Sequence, residues 1–558
     1  MKRAFFWLLP TLSIAACQAG SGGSNGTHGA ESGAGNGSLA GNGSGGAAGV
    51  TGGSGGAVGL TLSCAAPQLG EPVLRLLNRD QFTRTINDIF PQISGAWTGS
   101  LPADPVSSFG FDNDAATVVG PQLAQGMLDS AKSVAAAVTG NALANILPCS
   151  TSAADRTCAG QFISQYGRRF FRRSLTQAEQ NRYLTFFDTA LAQSDFKTAL
   201  KWVTVGLIQS PNAVYRSEIG TVANGSRQLS GPEIATELAY TYTGSTPSEA
   251  LVTQAESGTP LDATALAKSL LATDAGKATL QHFFESYLDY PRVASISRSG
   301  IDQFPNVRGD MIQETRTFIE QVVFQGNGGL KELLTAGNTN PSRALSTYYG
   351  FPQPATDYAS VTRTSGQGIG VLAQGSILAS RAQPNGSSPT QRGLLVFSRL
   401  LCNTKPNPPA NVPAITPPNP GVLTTRQRYE MQHASSGACA ACHKQWDPIG
   451  FGFEHFDEGG RYRATEGGLT IDTVSAVPKS DGTALFQFQD QETLAQGLAQ
   501  EGVVYQCFAA YLATYAFGTG DSCLGASRVD DLKAGKIGIA DFYAALASEP
   551  HFTQRAAQ

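Results

Sequence analysis

Residues 174–191 read SLTQAEQNRYLTFFDTAL. Thr176 stands three positions before Glu179, the spacing of a capping box in which a hydroxyl and a carboxylate satisfy the free N–H groups of a first helical turn, and a periodic apolar face follows. The same grammar returns on both sides. NRDQFTRTINDIF (78–90) sets Phe82, Ile86 and Ile89 at helical spacing, and SGPEIATELAY opens with Ser230 and Glu233 spaced for a capping box and Pro232 in the first turn, where its missing N–H costs nothing. Helical patterns also run through 261–290, 308–324, 388–402 and 492–517, while strand signals are few and short. The fold class is therefore mainly α, a multi-subdomain helical protein. Nearly 500 residues lie beyond residue 64, too many for one ordinary core.

Composition divides the chain. MKRAFFWLLPTLSIAAC has a basic start, a short apolar run and small residues before Cys17. This pattern predicts an export signal over 1–17, and Ile14-Ala15-Ala16-Cys17 resembles a bacterial lipobox, which places a lipid on Cys17. Residues 18–63 contain 18 glycines and almost no large apolar side chain, so they read as a disordered tether with a span of about 35–40 Å. His28 lies within it without an assigned role. No later apolar run reaches the length needed to span a bilayer. The net charge of −4 becomes −6 when Lys2 and Arg3 leave with the signal, which argues against nucleic acid as a partner. CNTKPNPPANVPAITPPNPG (402–421) cannot continue a helix and reads as an extended connector.

That connector leads into ACAACHKQWDPIG (438–450). With nine cysteines and six histidines in 558 residues, chance supplies only about 0.002 Cys-x-x-Cys-His motifs, the spacing of c-type haem attachment. In an exported chain Cys439 and Cys442 would form thioethers and His443 would ligate iron, its second N–H donated to a carbonyl near Asp447-Pro448. Trp446, Phe451, Phe453 and Phe456 could wall a haem or simply pack a core. His433 is the candidate for the opposite axial position, in competition with Met431, Met311, His282, His455, His551 and a vacant site. Arg461 and Arg463, with Lys444, are candidates to pair haem propionates, against the alternative of solvated surface charge. Two rival readings stay open: a disulfide or thiol pair at Cys439 and Cys442, and zinc, for which consecutive Cys and His are poorly placed to share one tetrahedron. GRRFFRRS reads as an amphipathic helix with Phe170 and Phe171 turned inward, and Asp112 and Asp114 form an acidic turn that could take calcium.

Five stretches together carry a family resemblance: LRLLNRDQFTRTINDIF with FGFDND; YGRRFFRRSLTQAE with IQSPNAVYRSE; LSGPEIATELAYTYTGSTP; SSPTQRGLLVFSRLLCNTKPNPP running into CAACHKQWDPIGFGFEHFDEGGRYR; and CFAAYLATYAFGTGDSC. The chain resembles the multi-domain PSD/PSCyt proteins of planctomycetes and myxobacteria, whose biochemical role is largely uncharacterised. The resemblance implies PSD-type helical domains over 64–148, 149–220 and 226–365, a PSCyt-type domain with the cytochrome-c-like segment over 366–465, and a last PSD-type domain over 466–558. Trp446 stands where the family often has Met, which argues against a sulfur ligand there.

The function these readings imply is an exported, lipid-anchored protein of a Gram-negative cell envelope. It would carry one covalent haem c for electron transfer or haem-dependent redox chemistry, peroxidase-like if an axial position is open, with a redox protein or small molecule as partner. The alternative is a non-enzymatic surface lipoprotein that binds a polymer or partner, its Cys-x-x-Cys-His structural. No Ser-His-Asp order, phosphate loop or convincing carboxylate pair supports hydrolase chemistry. Six further cysteines form an even set in an oxidising compartment. Local context pairs Cys149 with Cys158 across CSTSAADRTC and Cys507 with Cys523 through a reversal at Gly518 and Gly520, leaving Cys64 for Cys402.

Overall fold

The computed structural model describes Leu62 and residues 68–113, 117–150, 154–406, 422–434, 437–520 and 523–557. The export signal, Cys17, the tether with His28, Cys64, Asp114 and connector residues 407–421 lie outside the described residues.

Helices dominate, and two principal cores share one compact unit. Strand Val73–Leu76 pairs antiparallel with Tyr215–Glu218. Between them, helices Arg79–Ile89, Pro121–Val138, Arg156–Phe171 and Phe196–Ile208 bury Phe82, Ile86, Val134, Phe162, Phe170 and Val203 in the first core. Each apolar set follows the helical period, so one face of each helix is removed from water. Capping boxes close the first turns at Asn78/Gln81, Thr176/Glu179 and Ser230/Glu233. Phe170 and Phe171 are buried, but the arginines around them are not a uniform solvated face. Arg172 is buried and donates to the carbonyls of Ala213 and Asn212.

The second core is built around helix Gly502–Phe517, which is buried on nearly every side from Val504 onward. Packed with it are parts of helices Gly231–Thr243, Asp274–Leu288, Phe304–Glu320, Pro389–Leu395 and Ile539–Ala545. The last strand, Gln554–Ala556, pairs with Ser226–Gln228, and Arg555 ion-pairs with buried Glu218, which also holds Arg75 at 2.8 Å. The C-terminal strand is thereby tied to the first sheet. No helix among the described residues is long and apolar enough to cross a membrane.

Cys149 is bonded to Cys158. The other expected pairings are corrected, because Cys507 is bonded to Cys402. Cys507 lies one-third of the way along its helix, and ten further residues carry the chain about 15 Å onward before it can reverse. The C-terminal end of the segment after Pro389–Leu395 instead lies against it: the Cys507 sulfur is 3.2 Å from the Arg399 carbonyl. Cys523 is also disulfide-bonded.

Candidate functional site

Helix Pro389–Leu395 and the short helix Asp447–Phe451 meet backbone to backbone. A Cβ on Gly393 would stand 1.9 Å from the Trp446 carbonyl oxygen, and one on Gly450 would stand 1.9 Å from that of Pro389. Only glycine permits that approach. It brings the hydroxyl of Thr390 within 2.6 Å of Asp447 Oδ1. Helices Thr425–Ala434 and Gly437–His443 then deliver one histidine each from the other side.

Asp447 Oδ2 lies 2.5 Å from His433 Nδ1 and 3.0 Å from His443 Nδ1. The aspartate and His433 are buried, while His443 keeps 23% of its side chain exposed. Burial alone would raise the Asp447 carboxyl, but hydrogen bonds from His433, His443 and Thr390 outweigh it and hold the group below its ordinary value. An ionised carboxylate accepts and cannot donate, so both rings present Nδ1–H to it. The ring centres are 3.6 Å apart. His433 thus stands beside His443 and braces the same carboxylate.

Cys439 and Cys442 are half-buried, unbridged thiols, so the pair is not a disulfide in this structure. The Trp446 indole N–H is buried without a hydrogen-bond partner among the described residues, 5.5 Å ring to ring from His443. Trp446, Phe453 and Phe456 belong to the second core, so their aromatic surface is packed against protein. The ligand atoms of His433, His443 and Asp447 all lie within 4.8 Å of one another, a group able to hold a metal ion.

Arg461 and Arg463 are engaged elsewhere. Arg461 pairs with Asp457 at 2.8 Å, and Arg463 reaches Ser387, Glu454 and Glu466 at 3.0–3.5 Å. Their charges complete an acidic network beneath the site, with Arg392 and Glu454 buried at its centre. Lys444 is exposed. Among the other candidate ligands, Met431 is exposed and Met311 is buried in a separate cluster. His455 bonds the Arg463 carbonyl, His551 packs against Gln68 and Gly70, and His282 pairs with Asp112. The carboxylate of Asp447, not a nearby carbonyl, is the partner of His443. Its four-residue offset from His443 was the signal that could have shown it. Thr390, 57 residues away, left no such signal.

Four stretches match family models, each described as a protein of unknown function: PSD3 (DUF1587) over 75–140, PSD5 (DUF1595) over 158–218, PSD4 (DUF1592) over 229–351 and PSCyt3 (DUF1588) over 369–466. The histidine–aspartate group lies inside the PSCyt3 match. No curated protein matches the chain, and no solved structure does. With these domains in this order along one chain, the protein belongs to the multi-domain PSD/PSCyt family.

Proposed function

We propose that this is an exported, lipid-anchored, c-type-cytochrome-like protein of the cell envelope, with one haem attached at Cys439 and Cys442 and ligated by His443. The observation that carries the reading is the Nδ1 contact of His443 with Asp447 beside two unbridged thiols. Asp447 fixes the tautomer and rotation of His443 and raises the basicity of Nε2, as carboxylates behind metal-bound imidazoles do. His433 and Thr390 hold the carboxylate in turn. Bound there, haem would supply one-electron chemistry toward a redox partner or small-molecule substrate. The test is the pyridine haemochrome spectrum of full-length protein made with a cytochrome c maturation system. Colour that stays with the protein through acid-acetone is the expected result; colour that leaves with the solvent rejects the thioether assignment.

A second reading rests on the convergence of three ligand atoms within 4.8 Å. In protein without haem, His433, His443 and Asp447 would bind a divalent transition metal directly, as a two-histidine, one-carboxylate set. Equilibrium dialysis against Co²⁺ should retain one equivalent in the wild type and none in Asp447→Ala. Haem-free protein that retains no Co²⁺ removes this reading.

A further inference from the structure

Three wholly buried side chains, Glu314, Thr339 and Gln374, meet where helix Phe304–Glu320, strand Asn338–Thr339 and helix Gly375–Ser380 come together. Gln374 is the residue that enters the last of these helices, and Thr339 is fixed by pairing with Val361. The Thr339 hydroxyl oxygen is 2.6 Å from Glu314 Oε1 and 3.3 Å from Gln374 Oε1. A hydroxyl has one proton to give. Given to the carboxylate, the nearer and stronger acceptor, it leaves the oxygen with a lone pair for the amide.

That amide is loosely held for a core residue. Gln374 Nε2 is buried and makes no hydrogen bond among the described residues, so nothing retains it as a leaving group. At a hydrogen-bonded 3.3 Å from Oε1, the hydroxyl oxygen stands about 3.5–4.5 Å from the amide carbon, a movement of about 1 Å from the range of reacting atoms. Glu314 is suited to take a proton and return it. Burial raises its carboxyl above the ordinary value, against the charge of buried Arg363 and hydrogen bonds from Thr339 and Tyr349. The Tyr349 hydroxyl, 3.5 Å from Glu314 Oε2, packs against Gly375, where any Cβ would collide with it. Glycine beside Gln374 is what admits this donor.

We propose that Thr339 and Gln374 become joined by an ester bond, with Glu314 as the proton carrier. Thr339 Oγ1 gives its proton to Glu314 and bonds Gln374 Cδ. The Cδ–Nε2 bond then breaks as Glu314 returns that proton to the nitrogen, which leaves as ammonia. One ester and one ammonia replace one hydroxyl and one primary amide, so no oxidant, reductant or cofactor takes part. Dilution of the ammonia into solvent drives the exchange, and burial of all three side chains keeps water from the product. The bond would weld two family domains, since Glu314 and Thr339 lie in the PSD4 match and Gln374 in the PSCyt3 match. It does not depend on haem.

The experiment is tryptic mapping of the denatured full-length protein by mass spectrometry. Peptides 332–343 and 364–381 should appear as one joined species, lighter than their sum by one ammonia, and hydroxylamine should split it and leave a hydroxamate at Gln374. Thr339→Val, which conserves shape, should give two separate peptides, whereas Thr339→Ser should keep the link. Glu314→Gln should leave the peptides separate. Two unlinked peptides of unaltered mass in the wild type would overturn the proposal without recourse to any variant, as would residue 374 found as glutamate with Thr339 free. A link formed at the wild-type level in folded Glu314→Gln would overturn the role of Glu314.

Discussion

His282 and His443 are both partly buried histidines beside an aspartate, and their ratios of carboxylate to imidazole are inverted. His282 is one ring between two acids, with Nε2 3.2 Å from Asp112 and Nδ1 3.5 Å from Glu285. Burial would lower its pKa, but the two carboxylates outweigh it and push the ring up to about 10. It carries its proton at neutral pH and has no lone pair to offer. At Asp447 one carboxylate serves two rings, each through its Nδ1. The same side chains thus make a histidine held between two acids in one place and an acid held between two histidines in the other.

The Asp447 group also depends on longer-range connections, which gives the largest expected effect. Thr390 is on the segment that runs to Cys402, and Cys402 is stapled to Cys507 across 105 residues. In the loop-entropy model such a bridge is worth about 4.7 kcal/mol, against about 2.5–3 for the nine-residue separation of Cys149 and Cys158. Cys402→Ser with Cys507→Ser should therefore lower the urea midpoint more than Cys149→Ser with Cys158→Ser. Equal shifts would mean that the long staple does not secure the second core.

Removing each aspartate sharpens the contrast. Asp447→Ala takes the acceptor from three donors, and at about 1.5 kcal/mol for each hydrogen bond to the charged group the loss should be about 4.5 kcal/mol. Asp112→Ala leaves Glu285 on His282, so about 1–2 kcal/mol is expected. Chemical denaturation of the two variants checks the order. Losses of the same size would erase the distinction between a shared acid and a redundant one.

The pH dependence follows from the same wiring. His282 has its folded pKa raised from 6.5 to about 10, so its stabilising contribution is complete below about 6.5 and fades as pH rises through 10. Asp112 is shifted the other way: burial would raise it, the bonds to His282 lower it, and its contribution is present at neutral pH and fades in acid. NMR of ring-labelled histidine should find His282 protonated at pH 8, and His282→Gln should flatten the fall in stability between pH 7 and 10. A neutral His282 at pH 8 would mean that its two carboxylates do not hold the ring charged.

How much of this could be read in the chain varies with distance along it. The capping residues Thr176, Glu179, Ser230 and Glu233 act within one turn, and each stands in the box that its spacing indicated. Cys149 and Cys158 are close for the same local reason. Cys402 and Cys507 meet because two helical segments pack, and nothing near Cys507 encodes that. His443 and Asp447 share a four-residue spacing from which a contact could have been read, where a backbone carbonyl was expected instead, and the chain alone gave no cue that His433 would come to the same oxygen. Gly393 and Gly450 have meaning only once their helices touch. The five expected helical subdomains likewise gave no cue that residues from 238 to 552 would share one buried cluster.

The smallest expected effect concerns Arg461, because the haem reading made its guanidinium a candidate to pair a propionate. Its side chain is 39% exposed, pairs with Asp457 and lies over the Tyr348 ring at 5.4 Å. Asp457 is also held by the backbone N–H groups of Gly459 and Arg461, which remain in Arg461→Ala. A solvent-screened pair of this kind contributes about 0.2–1 kcal/mol, so Arg461→Ala should leave the denaturation midpoint nearly unchanged. Haem retention, read as the ratio of haemochrome to protein absorbance, should equal that of the wild type if Arg461 serves only Asp457. A retained fold with clearly less haem would return Arg461 to the haem site, and then the arginine network would have to open when the cofactor is attached.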